Sequence, residues 1–291
     1  MPSLAATARA WPHKGTSPVA DPARRIAAGV DAGTECLKAV IAAADGQVLG
    51  RAVVPTRGHF EACVHEVLAA ALDDAQCDQG DLTGIAATGF AMNCVSSAAL
   101  TATDTACHAR GAFARLQVPM TLIDIGGRDP HVIRVDGAGR RVEARSVRQC
   151  AAGVGSFLMF TARHLDVSAT GLQDLAAAAV QPARVSSYCS VFSTTEVLER
   201  LREGARREEI ALGAMHSIAE RIVEMGLFED PLYVCGGVAE YFPGVLGALA
   251  TLSGRQVRTV PEPLLTGALG AALKLLDEQS AHDGAKAETL Q

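Results

Sequence analysis

The chain of 291 residues predicts two α/β halves in tandem. Three observations carry this expectation. An apolar strand ending in Asp and running into a glycine turn occurs twice, at Ile26–Asp31 before Gly33 and at Thr121–Asp124 before Gly126 and Gly127. Each copy is followed by two apolar runs bracketing a turn, Asp45-Gly46 in the first and Asp136 to Gly139 in the second, which is a hairpin pattern. Helix-spaced and strand-spaced segments then alternate, and the length itself carries a soft expectation of two domains of roughly 150 residues.

The first half is predicted over residues 26–118. Its hairpin strands are Leu37 to Ala43 and Val48 to Val54. Phe60 to Asp74 has helical spacing, with Val64, Val67, Leu68 and Leu72 on one face. Gly84 to Thr88 reads as a buried strand and Thr103 to Leu116 as a helix. The second half is predicted over 119–277. His131 to Val135 and Val142 to Val147 form its hairpin, and helices follow at Gly155–Leu165, Thr195–Glu203 and Glu208–Met225. A strand at Leu232–Cys235 runs into Gly236-Gly237, another spans Gln256 to Val260, and a last helix covers about Leu264 to Leu276. Residues 1–25, with Trp11, Pro12, Pro18 and Pro22, read as a flexible extension, and 278–291 as a C-terminal tail.

Composition excludes several functions. Hydrophobic residues are 49% and charged residues 20%, so enough apolar surface exists to offset the entropy of ordering the chain. The net charge of −6 offers no broad cationic face to a phosphate backbone, and 4% aromatics offer few stacking platforms, so no nucleic-acid partner is expected. The longest apolar runs fall far short of the ~20 residues of a membrane helix, so no membrane partner is expected either. The eight cysteines form no CxxC and follow no recognisable leader, which points to reduced thiols in the cytoplasm. Most are then small buried hydrophobes.

The strand-end motifs point to a nucleotide cleft. Glycine turns such as Gly33-Thr34 and Gly126-Gly127 present backbone N–H groups to phosphate oxygens. Asp31 and Asp124 close their strands where carboxylates can hold Mg2+ between phosphates. Lys38 supplies a point charge to the same phosphates. Gly236 and Gly237 permit a base or ribose to approach the backbone. His108 and Arg110 either project toward the phosphates or serve the core, the latter being favoured for His108.

Asp31-Ala-Gly-Thr34, Asp124-Ile-Gly-Gly127 and Gly236-Gly237 resemble the phosphate and adenosine motifs of the actin, Hsp70 and sugar-kinase superfamily, which implies two ribonuclease-H-like domains around ATP. Further stretches resemble the BadF/BadG/BcrA/BcrD branch: Cys107-His-Ala-Arg-Gly111, Ile123 to Gly127 with Asp129, Cys150 to Phe157, Cys189 to Phe192 with Glu196, and Gly236 to Ala239 leading to Gly267-Ala-Leu-Gly270. That resemblance implies that Cys150 and Cys189 each give a thiolate to one [4Fe-4S] cluster shared between two chains. Both cysteines precede expected helix starts, an environment that lowers a thiol pKa, and two thiolates from one chain cannot fill a four-thiolate shell. Without the resemblance they would read as buried thiols.

The implied activity is ATP-driven electron delivery, fed by a ferredoxin-type donor, to acyl-CoA-reducing subunits. Asp31, Asp124, Arg128 and Asp129 are then the candidate catalytic residues. Gly155-Ser156-Phe157 favours the D-type ATPase component of a benzoyl-CoA reductase, paired with an A-type ATPase component, over a homodimeric activator of a 2-hydroxyacyl-CoA dehydratase. Arg128 stands where that family commonly has Gln, and Ser193-Thr-Thr-Glu196 keeps only the last carboxylate of the usual segment. A small-molecule kinase would leave Cys150 and Cys189 without a role. A non-hydrolysing nucleotide-binding regulatory or assembly subunit is the third reading, which Arg128 makes credible, although an arginine there could also stabilise phosphate charge.

Overall fold

The structure is a computed structural model that describes residues 25–146, 153–185, 190–226 and 228–289. The chain divides into two compact units, one running to Gln117 and resuming at Leu265, the other spanning Val118–Leu264.

In the first unit, β1 (Ile26–Ala32), β2 (Cys36–Ala43) and β3 (Val48–Pro55) form the expected antiparallel meander. Helix α1 (Phe60–Ala75) follows, and β4 (Ile85–Thr88) and β5 (Leu100–Thr101) join in parallel, giving the order β3-β2-β1-β4-β5. Alternation along the strands builds two cores. Ala28, Val30, Leu37, Ala39 and Ile41 pack with Val64, Val67 and Leu68 of α1, while Ala27, Val40 and Ala42 turn to the opposite face. Helix α2 (Asp104–Leu116) lies on that opposite side.

The second unit repeats the plan. Strands β6 (Met120–Ile125), β7 (Pro130–Val135) and β8 (Arg141–Ser146) form an antiparallel meander. Helices α3 (Val154–His164), α4 (Ala169–Ala178), α5 (Ser190–Arg202) and α6 (Arg207–Met225) come next. Strand β9 (Leu232–Cys235) joins β6 in parallel, α7 (Gly237–Tyr241) and α8 (Pro243–Ser253) follow, and β10 (Val257–Thr259) completes the order β10-β9-β6-β7-β8. Read from the meander edge, the two sheets have one topology. Helix α6 packs against α3, α4 and α8, so this unit's helical layer is larger than the first unit's.

The last helix departs from expectation. The sequence assigns residues 265–277 to the second half and 278–291 to a tail, whereas α9 (Thr266–Thr289) packs in the first unit against β1, β2, β4 and α2. The reason lies in small residues. A Cβ on Gly29 of β1 would stand 1.9 Å from the Ala268 carbonyl oxygen, so only glycine lets the helix backbone approach this closely. Beyond the apolar stretch, Arg25 donates to Gln279 at 3.0 Å and to Asp283 at 3.1 Å, tying the polar continuation of α9 to the start of β1. Helix α5 also starts earlier than its apolar periodicity suggests, at Ser190 instead of Thr195. Ser193, Thr194 and Thr195 are weak helix formers that conceal its first turns.

The six described cysteines are free thiols. Cys107 on α2 is fully buried in the first unit, and burial pushes its thiol up to about 12, partly opposed by a hydrogen bond with Thr88. Folding therefore favours the protonated thiol. Its contribution is intact below the unfolded-state value near 9 and is lost as pH rises from there toward 12. Urea titrations of wild type and Cys107→Ala between pH 8 and 11 should show wild type losing stability faster above pH 9, by up to about 1.4 kcal/mol per pH unit. Parallel pH profiles would contradict the assignment.

Candidate functional site

The duplicated topology brings the same set of groups to the end of the central strand in each unit. In the first, β1 carries Asp31 to the strand end and antiparallel pairing sets Lys38 of β2 directly opposite. Lys38 Nζ donates to Asp31 Oδ2 at 3.1 Å, both side chains being largely buried. The turn holding Gly33 and Thr34 is pinned by Thr56, whose hydroxyl donates to the Gly33 carbonyl at 2.8 Å and whose N–H donates to that of Glu35 at 3.1 Å. A Cβ on Gly33 would stand 2.8 Å from Lys38 Nζ, so the ammonium lies over this turn. Asp31, Gly33 and Lys38, separated in sequence, form one cluster.

Sequence reasoning missed a fourth member. Gly89, directly after β4, has φ +92°, and a Cβ there would lie 2.6 Å from Asp31 Oδ1. Its N–H donates to Asp104 Oδ1 at 2.6 Å, and Asp104 also receives the Thr88 hydroxyl at 3.0 Å. His108 is buried one turn further along α2. A carbonyl oxygen can only accept, so the 2.9 Å contact with the Asp104 carbonyl puts the ring proton on Nδ1. The opposite ring edge lies about Gly267, beside Asp31 Oδ2. The bland expectation for His108 captures its hydrogen bond but not this proximity to the carboxylate. Arg110 points elsewhere and pairs with Asp277 of α9 at 2.7 and 3.1 Å.

The second unit presents the matching set. Asp124 ends β6 and His131 of β7 stands opposite, its Nδ1 3.3 Å from Asp124 Oδ2. Gly236, directly after β9, also has φ +92°, and a Cβ on it would meet Asp124 Oδ1 at the same 2.6 Å found for Gly89 and Asp31. Gly236 N–H donates to the Pro263 carbonyl at 2.9 Å, and Gly237 opens α7. In the turn between β6 and β7, nothing lies within 4 Å of where a Cβ of Gly126 would stand, leaving this backbone open to a ligand. Arg128 Nε donates to Asp129 Oδ2 at 2.9 Å, so the two candidate residues neutralise each other. His131 was not singled out from sequence, although counting seven residues from each strand-end carboxylate yields Lys38 and His131.

Helix α3 is welded to this turn. Val154 N–H donates to the Arg128 carbonyl at 2.9 Å and Ser156 N–H to that of Gly127 at 3.0 Å. Gly153, which caps the helix with φ +74°, lies so close that a Cβ would stand 2.4 Å from both Arg128 Cα and the Gly127 carbonyl oxygen. Cys150 and Cys189 fall outside the described residues. Their described flanks begin at Gly153 before α3 and at Ser190, the first residue of α5. Helices α3 and α5 pack on each other.

Comparison with known proteins agrees with the geometry. An activator of lactoyl-CoA dehydratase from Anaerotignum propionicum is 34% identical over 248 residues, covering 84% of this chain and 95% of the relative. The D-type component of benzoyl-CoA reductase from Thauera aromatica is 28% identical over 262 residues, covering 85% and 92%. The solved activator of the 2-hydroxyisocaproyl-CoA dehydratase from Clostridium difficile, with bound ADPNP, superposes with a TM-score of 0.81 at 29% identity, covering 89% of this chain and 97% of that one. The duplicated ribonuclease-H-like architecture of actin and the sugar kinases is therefore the fold of this chain. Matching the BadF/BadG/BcrA/BcrD ATPase family over residues 28–274, and with these relatives, the chain belongs to that family.

Proposed function

We propose that this protein is an ATP-hydrolysing activator that delivers low-potential electrons to a 2-hydroxyacyl-CoA dehydratase. The sequence favours the D-type benzoyl-CoA reductase component on the strength of Gly155-Ser156-Phe157. Similarity over nearly the whole chain weighs the other way, at 34% identity to a dehydratase activator against 28% to the reductase component. Three local residues report helix packing more than partner choice.

The observation that carries the reading is the fusion of α3 to the Gly126–Arg128 turn. Buried Asp31 and Asp124 suit Mg2+, Lys38 suits phosphate, and the open backbone at Gly126 suits phosphate oxygens. A displacement of the turn on nucleotide exchange must move the start of α3, four residues beyond Cys150. Cys150 and Cys189 supply the paired thiolates that a [4Fe-4S] cluster shared with a second chain requires, and such a cluster when bound stores and releases one electron. Raising an electron by a few hundred millivolts takes about 5–10 kcal/mol. Inverting a two-state equilibrium from 1:99 to 99:1 takes about 5.5 kcal/mol of differential binding, which is of the same order.

Anaerobically purified protein, mixed with ATP and a reductant, should switch on a purified 2-hydroxyacyl-CoA dehydratase and fail to support benzoyl-CoA reduction. Phosphate should be released without a phosphorylated small-molecule product. Activation of the reductase alone would restore the D-type reading, and a phosphorylated product would establish a kinase.

A further inference from the structure

The two units differ at the position facing each strand-end carboxylate. Asp31 faces Lys38 and Asp124 faces His131, in the same register of the same strand pair and beside glycines of the same φ. Lysine offers only donors and a fixed charge. Imidazole offers more. With Nδ1 turned to Asp124 Oδ2, an oxygen that accepts, Nε2 is the ring nitrogen left to offer a lone pair. Asp124 is the hydrogen-bond partner of this ring among the described residues, and the ring is partly exposed, with 17% of its side chain accessible. The neighbouring group that could otherwise orient water, Arg128, carries no acceptor and is engaged with Asp129.

Resting on the ATPase reading above, we propose that His131 is the water-positioning residue of this ATPase, oriented by Asp124 and accepting a hydrogen bond from the attacking water at Nε2. The water oxygen bonds to the γ-phosphorus as the bond from phosphorus to the ADP oxygen breaks. One water proton stays on the released phosphate and the other passes to solvent, so His131 orients without being consumed. The first unit's Lys38 needs no such lone pair, because its task is charge.

The test replaces the imidazole by the group its twin uses. In His131→Lys an ammonium still pairs with Asp124 but Nε2 is gone. MgADP affinity by calorimetry and KM for MgATP should stay within about threefold of wild type, while kcat for phosphate release falls about a hundredfold, the scale of a misplaced reactant. His131→Asn, whose amide keeps both a donor for Asp124 and an acceptor, should recover part of kcat. Wild-type kcat in His131→Lys overturns the proposal, since the ring would then be a charge partner alone. Loss of MgADP binding in both variants overturns it too, by assigning the ring to the fold or the nucleotide. Wild-type protein that binds MgADP but releases no phosphate overturns the ATPase reading itself, a result reached without any variant.

Discussion

Cys150→Ala and Cys189→Ala are each expected to strip the protein of iron and abolish activation of its partner while leaving MgADP binding within about twofold of wild type. A cluster shared by two chains needs all four thiolates, and loss of either cysteine type removes two from a homodimer. Iron and sulfide should fall from about four each per pair of chains to background, with loss of the broad visible absorption. Nucleotide binding is expected to be spared, because the residues proposed for it, Asp31 and Lys38 in one unit and Asp124 and the Gly126–Gly127 turn in the other, belong to other segments of the chain. Full iron content in either variant would remove the cluster assignment. Cys63→Ala is the control, because that thiol is buried in the core on α1 itself and should affect stability only.

Gly153→Val is expected to separate the proposed nucleotide turn from the proposed cluster segment. Two penalties combine. A side chain at φ +74° is strained by roughly 1–2 kcal/mol. The added Cβ would also meet Arg128 Cα and the Gly127 carbonyl oxygen at 2.4 Å, both rigid backbone, and overpacking of that kind costs typically 1–3 kcal/mol. The helix start must therefore lift, weakening the bonds from Val154 and Ser156 to the turn. The chain should melt several degrees lower, and ATP-driven partner activation should collapse by far more than ATP affinity. Gly247→Ala on α8 is the counterpart: nothing lies within 4 Å of its Cβ position, and alanine in an exposed helix interior should stabilise by about 0.5–1 kcal/mol. A Gly153→Val protein with wild-type coupling would show that α3 does not transmit the nucleotide state.

Much of the architecture was visible in residue order. The hairpins β1-β2-β3 and β6-β7-β8 were legible because alternation of apolar residues and turn dipeptides acts over a few positions. Helices α4 and α8 were not. The segment of α4 is only 10 residues long and that of α8 is alanine-, leucine- and glycine-rich with little periodicity, and each packs on α6. The strand-end carboxylates were legible from the Asp-x-Gly pattern. Gly89 and His131 were not, since their meaning comes from standing next to a carboxylate contributed by another strand.

What residue order alone determined, then, is everything governed by short-range periodicity and local turn chemistry: two copies of a strand, a glycine turn and a hairpin, with Asp31 and Asp124 at the same point of each. Only the folded chain decided that α9 covers the first sheet, that Lys38 and His131 are counterparts, and that α3 is fastened to the Gly126–Arg128 turn. Those outcomes depend on how closely two backbones approach, as at Gly29 and Gly153. Such distances join residues tens or hundreds of positions apart, and no local pattern encodes them.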